Sequence, residues 1–178
     1  MEFLGVIKDL PLRTNARVLD INNSLTSNNF SLLDMFPNGY LINLNKDPEK
    51  IRTIIKSIEE KKIKNIHDKY SAFHFNYDNG NKLPFKDNSF DLVILSGILR
   101  GVVYRESFLK DIARILSRGG FILVTELYEN AHGVETHPDS RILLDDMLEY
   151  LDTAGFIFHK SFDKNNDVYG IIGICSLV

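Results

Sequence analysis

Short apolar runs alternate with helix-spaced amphipathic segments along almost the whole chain, and this alternation constrains the fold more than any other feature. "ARVLDI" (Ala16 to Ile21) and "YLINLN" read as buried strands, as does "FDLVILSG", whose unbroken apolar character suits a parallel strand covered on both faces. "SAFHFNY", "FILVTELY", "FIFHKSF" and "VYGIIGICSLV" add further strands, the last two joined by the hairpin signal "DKNND". Between them, "DPEKIRTIIKSIEEKK" places Ile51, Ile54, Ile55 and Ile58 on one stripe, with Asp47 as cap and Pro48 in the first turn. "YRESFLKDIARILS" gathers Phe108, Leu109, Ile112, Ile115 and Leu116 and is predicted to stop at Arg118-Gly119-Gly120. "NNFSLLDMF" and "SRILLDDMLEYLDTAG" complete the helices. Alternation of this kind predicts an α/β domain, Rossmann-like and doubly wound, with right-handed crossovers. The expected sheet has seven strands, mostly parallel, with one antiparallel C-terminal strand. Val18, Leu19, Val93, Ile94, Leu123 and Val124 are expected at its centre.

A chain of 178 residues without repeat, low-complexity tract or linker suits a single domain, residues 1–178, with 1–15 as a short N-terminal segment. A net charge of −3 gives no electrostatic footprint for nucleic acid and no basic face for lipid, and the lysine-rich "EEKKIKNIHDK" reads as a solvated helix end. The single cysteine, Cys175, rules out a disulfide within the chain and lies in an apolar strand, where a buried inert thiol is expected. No apolar run approaches bilayer length and no leader pattern opens the chain, so the expected location is cytoplasmic. His132, Glu135 and His137 match no metal-ligand spacing, and no metal is expected.

"LPFKDNSFDLVILSGIL", "DIARILSRGGFILVTE" and "LLDDMLEYLDTAGF" together resemble the small class I S-adenosylmethionine (SAM)-dependent methyltransferases. The first is similar to that family's "LPF-x-DNSFDLV", the second to its helix, K-P-G-G turn and strand, the third to its "L-x-x-L-L-x-x-A-G-F". The resemblance runs from about Ala16 to Val178 and implies SAM as cofactor, a seven-stranded sheet with one reversed strand, and a small-molecule methyl acceptor.

The same resemblance implies where the cofactor would lie. Asp20 matches the acid that ends the first strand, but the three turn glycines fall on Asn22, Ser24 and Thr26. Asparagine tolerates a left-handed backbone, whereas β-branched threonine suits it poorly. The ribose-binding acid falls on Asn45, where an amide keeps an acceptor without its charge. The acid beside the adenine falls on Asn79, with Asp78 one residue earlier, and Ser96 ends the fourth strand. Asp20, Asn22, Ser24, Asn45, Asp78, Asn79 and Ser96 are therefore the expected cofactor contacts. No residue identifies itself as a general base; Glu126 and Tyr128 end the fifth strand near where substrate would lie. Two functions follow: a methyltransferase-like protein with a degraded cofactor motif that binds SAM weakly or serves a partner, or an active enzyme on a small acceptor. With little chain before the first strand, the site edge is expected to be incompletely covered. Self-association or a heterologous protein partner is then expected, with Phe3, Leu4, Val6, Ile7 and Leu10 either supplying the apolar patch or folding back as a minimal lid.

Overall fold

The computed structural model describes residues 3–22, 28–60, 65–78, 80–128, 131, 141–165 and 167–176. In chain order the elements are α1 (Phe3–Lys8), β1 (Arg17–Asn22), α2 (Asn28–Met35), β2 (Tyr40–Asn45), α3 (Pro48–Glu60), β3 (Tyr70–His74), β4 (Phe90–Ser96), α4 (Arg105–Ile115), β5 (Leu116–Leu127), α5 (Leu144–Thr153), β6 (Phe156–Asn165) and β7 (Val168–Cys175). Two single 3₁₀ turns, Ile66–Asp68 and Leu99–Gly101, lie in the connections.

The seven strands form one sheet in the order β3-β2-β1-β4-β5-β7-β6. All neighbouring pairs from β3 to β5 are parallel, and β7 runs antiparallel to both β5 and β6. This is the expected Rossmann-like sheet with one reversed strand. Val18, Leu19, Val93, Ile94, Leu123 and Val124 are all buried at its centre.

Alternation along the strands splits the core into two layers. On one face Val18, Leu41, Leu92, Ile94, Leu123 and Ile172 meet Leu32, Ile54 and Ile58 from α2 and α3. On the other face Leu19, Val93, Leu95, Ile122, Val124 and Ile171 meet the apolar sides of α4 and α5. Helix α3 starts as its sequence demands: Asp47 Oδ1 accepts from the Glu49 amide at 2.9 Å, and Pro48 occupies the first turn. Val6, Ile7 and Leu10 are buried in the first layer, so α1 folds back onto the sheet and does not present them as an apolar patch for a partner.

The boundary between α4 and β5 differs from expectation. Helix α4 ends before Gly119 and Gly120 are reached. Leu116 is already extended, with φ −76° and ψ 141°, and pairs with Phe90. The ladder resumes at Leu92 opposite Phe121, so residues 117–120 make an excursion from β5. Gly119, at φ 73°, supplies the left-handed backbone this excursion needs. The glycine pair shapes a bulge in the strand and does not stop the helix.

Candidate functional site

Parallel register brings three of the expected residues together. Ile21 lies opposite Leu44 and Asn22 opposite Ser96, so Asn22, Asn45 and Ser96 end three adjacent strands at the carboxyl edge of the sheet. In open α/β sheets ligands bind beyond that edge. Two-residue alternation also puts Asp20, Asn22, Asn43 and Asn45 on one face. Ser24 and Asn79 lie outside the described residues, as do Thr26 in the first-strand turn and the loop histidines His132 and His137 with Glu135.

Asp20, Asn22 and Asn43 form a closed, buried group. Asp20 Oδ2 accepts from Asn22 Nδ2 at 2.6 Å and from Asn43 Nδ2 at 3.1 Å. Burial pushes the Asp20 carboxyl up to about 7, against the pull of those two donors. The donors leave both amide oxygens behind: Asn22 Oδ1 and Asn43 Oδ1 are buried without a hydrogen-bond partner. Asn43 was not legible as a site residue beforehand. Its signal was a polar side chain two residues before Asn45 in an otherwise apolar strand.

Asn45 is spent on the fold. Its Nδ2 donates to the Asn22 carbonyl at 2.5 Å and its Oδ1 accepts from the Asp47 amide at 2.8 Å, with the side chain fully buried. It therefore ties the end of β2 to the end of β1 and turns the chain into α3. Asp78 faces the same edge through an ion pair, its Oδ2 lying 2.6 Å from Lys46 Nζ, while its Oδ1 is buried without a partner. Lys46 was not among the expected contacts. As the residue after Asn45 it rises over the edge, and its Nζ approaches Gly101.

The fourth strand's end carries a second ion pair. Glu126, 3% exposed, accepts from the Leu99 amide at 2.8 Å and faces Arg100 Nη1 at 3.9 Å. Burial raises the Glu126 carboxyl, and Arg100 opposes the rise. Arg100 Nη1 has no hydrogen-bond acceptor. Gly97, at φ 64°, turns the chain so that the Arg100 guanidinium passes close above it. Glu126 is thus a brace for the 3₁₀ turn after β4, and Tyr128 is spent outside the edge on a hydrogen bond to Asp163. Cys175 is buried, with its thiol near the Ala113 carbonyl. Among the described residues no cluster of three His, Cys, Asp or Glu side chains could hold a metal, and no helix is long and apolar enough to cross a membrane.

The chain matches the family described as "Methyltransferase domain" over residues 35–124, just over half of its length. Among curated relatives it is 41% identical over 56 residues to the ubiquinone/menaquinone biosynthesis C-methyltransferase UbiE of Pseudoalteromonas translucida. That match covers 32% of this chain and 22% of the relative, so the chain matches less than a quarter of that protein's length. Among solved structures it superposes on a SAM-dependent methyltransferase from Aquifex aeolicus with a TM-score of 0.83 at 14% identity, covering 96% of this chain and 88% of that one. It also superposes on a complex between the Haloferax volcanii Trm112 methyltransferase activator and a methyltransferase, with a TM-score of 0.76 at 16% identity, covering 97% and 88%. With the fold, the strand order and this family match in agreement, the chain belongs to the class I SAM-dependent methyltransferase family, and S-adenosylmethionine is the cofactor that membership implies.

Proposed function

We propose that this protein is a methyltransferase-fold domain with a rebuilt cofactor end, one that binds SAM weakly and acts chiefly through a protein partner. The carrying observation is the commitment of Asn45. An acid at this position would face the ribose hydroxyls, whereas here both polar atoms of the side chain serve the backbone of the neighbouring turn. The residues still fit SAM elsewhere. Buried acceptors without partners, Asp78 Oδ1 and Asn22 Oδ1, suit the N–H and O–H donors of such a ligand. Asp78 would hold it from the β3 side and Asn22 from the end of β1, while Lys46 competes for Asp78.

When bound, SAM supplies a methyl group already activated on its sulfonium, so the protein's own share is to position and to exclude water. The edge is built for positioning by its buried amides and by the Glu126 brace. Among the described residues α1 lies in the sheet-face layer and leaves the strand ends uncovered, which supports an outside partner there. The activator-bound Haloferax volcanii methyltransferase offers a precedent of the same fold with a protein partner.

A second reading, methyl transfer to a small acceptor, draws support from Arg100. Its Nη1 keeps a buried N–H free of any hydrogen-bond acceptor at the edge where an acceptor molecule would lie, and the curated relatives are C-methyltransferases. Calorimetric titration with SAM separates the two. Weak binding, with a Kd of about tens of micromolar or poorer, follows from the loss of two contacts at roughly tenfold each. A submicromolar Kd would overturn the rebuilt-site reading and favour the enzyme.

A further inference from the structure

The opposite edge of the sheet carries a groove that the cofactor reading does not use. It has a volume of about 450 Å³ and lies where β1 and β4 begin, between the chain before Arg17 and the 117–120 excursion of β5. The length of β1 separates it from Asn22 by roughly 17 Å. That volume falls in the range of small-ligand pockets, roughly 300–1,000 Å³.

The groove is electrostatically one-sided. Three arginines line it, Arg13, Arg17 and Arg118, against one acid, Asp91. The acid is already satisfied. Arg17 Nε and Nη2 reach the two Asp91 carboxylate oxygens at 3.1 and 2.9 Å, the Arg17 amide donates to Oδ2 at 2.9 Å, and Ser117 Oγ adds a fourth donor. The guanidinium holds the Asp91 carboxyl below its usual range despite partial burial, so it stays ionised as Arg17's counterion. Arg13 and Arg118 then stand with no counter-charge in the groove's lining, in a protein whose net charge is −3.

Their backbones lie on the two sides of the groove. The Ala16 amide donates to the Arg13 carbonyl at 3.0 Å and closes the turn that carries Arg13. Arg118 rides the excursion beside Gly119, where an added Cβ would meet nothing within 4 Å, so the space above it is open. The turn similar to the family's K-P-G-G reads S-R-G-G here, which sets an arginine where that pattern has proline.

We propose that this groove binds a phosphate-bearing small molecule, with Arg13 and Arg118 gripping the phosphate and the fixed Arg17–Asp91 pair forming the floor. Planar guanidinium forks suit phosphate oxygens, and two of them around one dianion give bidentate recognition that a single surface charge does not.

The test is a titration of the intact chain with pyrophosphate at low ionic strength, followed by amide chemical shifts and calorimetry, with citrate as the polycarboxylate arm. Saturable shifts are expected at Gly119, Gly120 and Arg13. Arg13→Gln and Arg118→Gln are each expected to weaken binding by about tenfold, and the double variant to abolish it. Both side chains are exposed and, among the described residues, without ion-pair partners, so the variants are expected to melt with the parent and to leave any SAM response unchanged. Shifts confined to other parts of the molecule, pyrophosphate affinity retained in the double variant, or no saturable shift at all would overturn the site. Tighter binding of citrate than of pyrophosphate would overturn the phosphate assignment.

Discussion

Two regions next to the sheet treat their polar groups in opposite ways. The loop 83–89 that leads into β4 is clamped chiefly by Arg114 and its neighbour Asp111. Arg114 donates to Asp111 Oδ1 at 2.7 Å, to Asp87 Oδ1 at 2.7 Å, to the Phe85 carbonyl at 2.8 Å and to the Leu83 carbonyl at 3.2 Å, while Asp111 Oδ2 takes the Leu83 amide. The carboxyl ends of β1 to β4 instead leave Asn22 Oδ1, Asn43 Oδ1, Asp78 Oδ1 and Arg100 Nη1 buried without hydrogen-bond partners. Buried polar groups are ordinarily paired, and an unpaired one costs about 1–3 kcal/mol. The first region is complete in itself. The second, among the described residues, holds buried polar atoms without partners. Stability therefore draws on the loop clamp and the two apolar layers, and the proposed cofactor contacts lie at the edge.

Breaking the clamp is expected to give the largest effect. Arg114→Ala would strand the Phe85 carbonyl and leave the Asp111 carboxylate without its cation, and a loss of about 2–3 kcal/mol is expected in chemical denaturation. Arg114→Lys should recover little of it, because one ammonium cannot span four acceptors in the guanidinium's fork. A loss below about 0.5 kcal/mol for Arg114→Ala would place the loop's stability elsewhere.

The edge answers to pH through Asp20. Asp20 ordinarily titrates near 3.8 and is pushed up to about 7 by burial. Between those values the unfolded chain releases the proton that the folded chain keeps. Asp20's contribution is full below the unfolded value and is lost as pH rises through the folded one, about 2–3 kcal/mol between pH 5 and pH 8. Denaturant midpoints across that range should fall in the parent and flatten in Asp20→Asn. Identical slopes in the two proteins would show that Asp20 is not held protonated.

A smaller effect sharpens the edge itself. Lys46 competes for Asp78 through a partly exposed ion pair, worth about 0–1 kcal/mol to stability. Lys46→Ala is expected to leave the melting temperature nearly unchanged and to tighten SAM binding severalfold by freeing the carboxylate. Weaker binding in this variant would mean that Lys46 contacts the ligand.

How far the sequence reveals each region follows the same division. The alternation of elements, the seven mostly parallel strands and their buried centres were legible because apolar alternation repeats over many residues and each repeat constrains the next. The "LPF" loop was recognisable, but not the reason for its shape. Arg114 is distant in sequence from Leu83, Phe85 and Asp87, and no local pattern announces that one guanidinium serves all three. At the edge the residue types were legible and their commitments were not. Asn45 looked like a weakened ribose acceptor, yet its atoms face the Asn22 carbonyl and the Asp47 amide, a choice fixed by the β1–β2 register. Lys46 was missed because an exposed lysine after a strand reads as solvated until its partner is seen. The glycine pair at 119–120 was read as a helix stop, since the strand pairing of Leu116 with Phe90 is a long-range contact invisible to local propensity.

The most direct test of the central claim is equilibrium binding of SAM to the parent and to Asn45→Ala, measured side by side with their melting temperatures. If Asn45 holds the turn and not the ligand, both proteins bind in the range of tens of micromolar or weaker, within about threefold of each other. The variant would lose about 1–3 kcal/mol of stability through the broken tie between β1 and β2. Tight binding by the parent that falls tenfold or more in Asn45→Ala, with melting unchanged, would contradict the account and return Asn45 to the ribose.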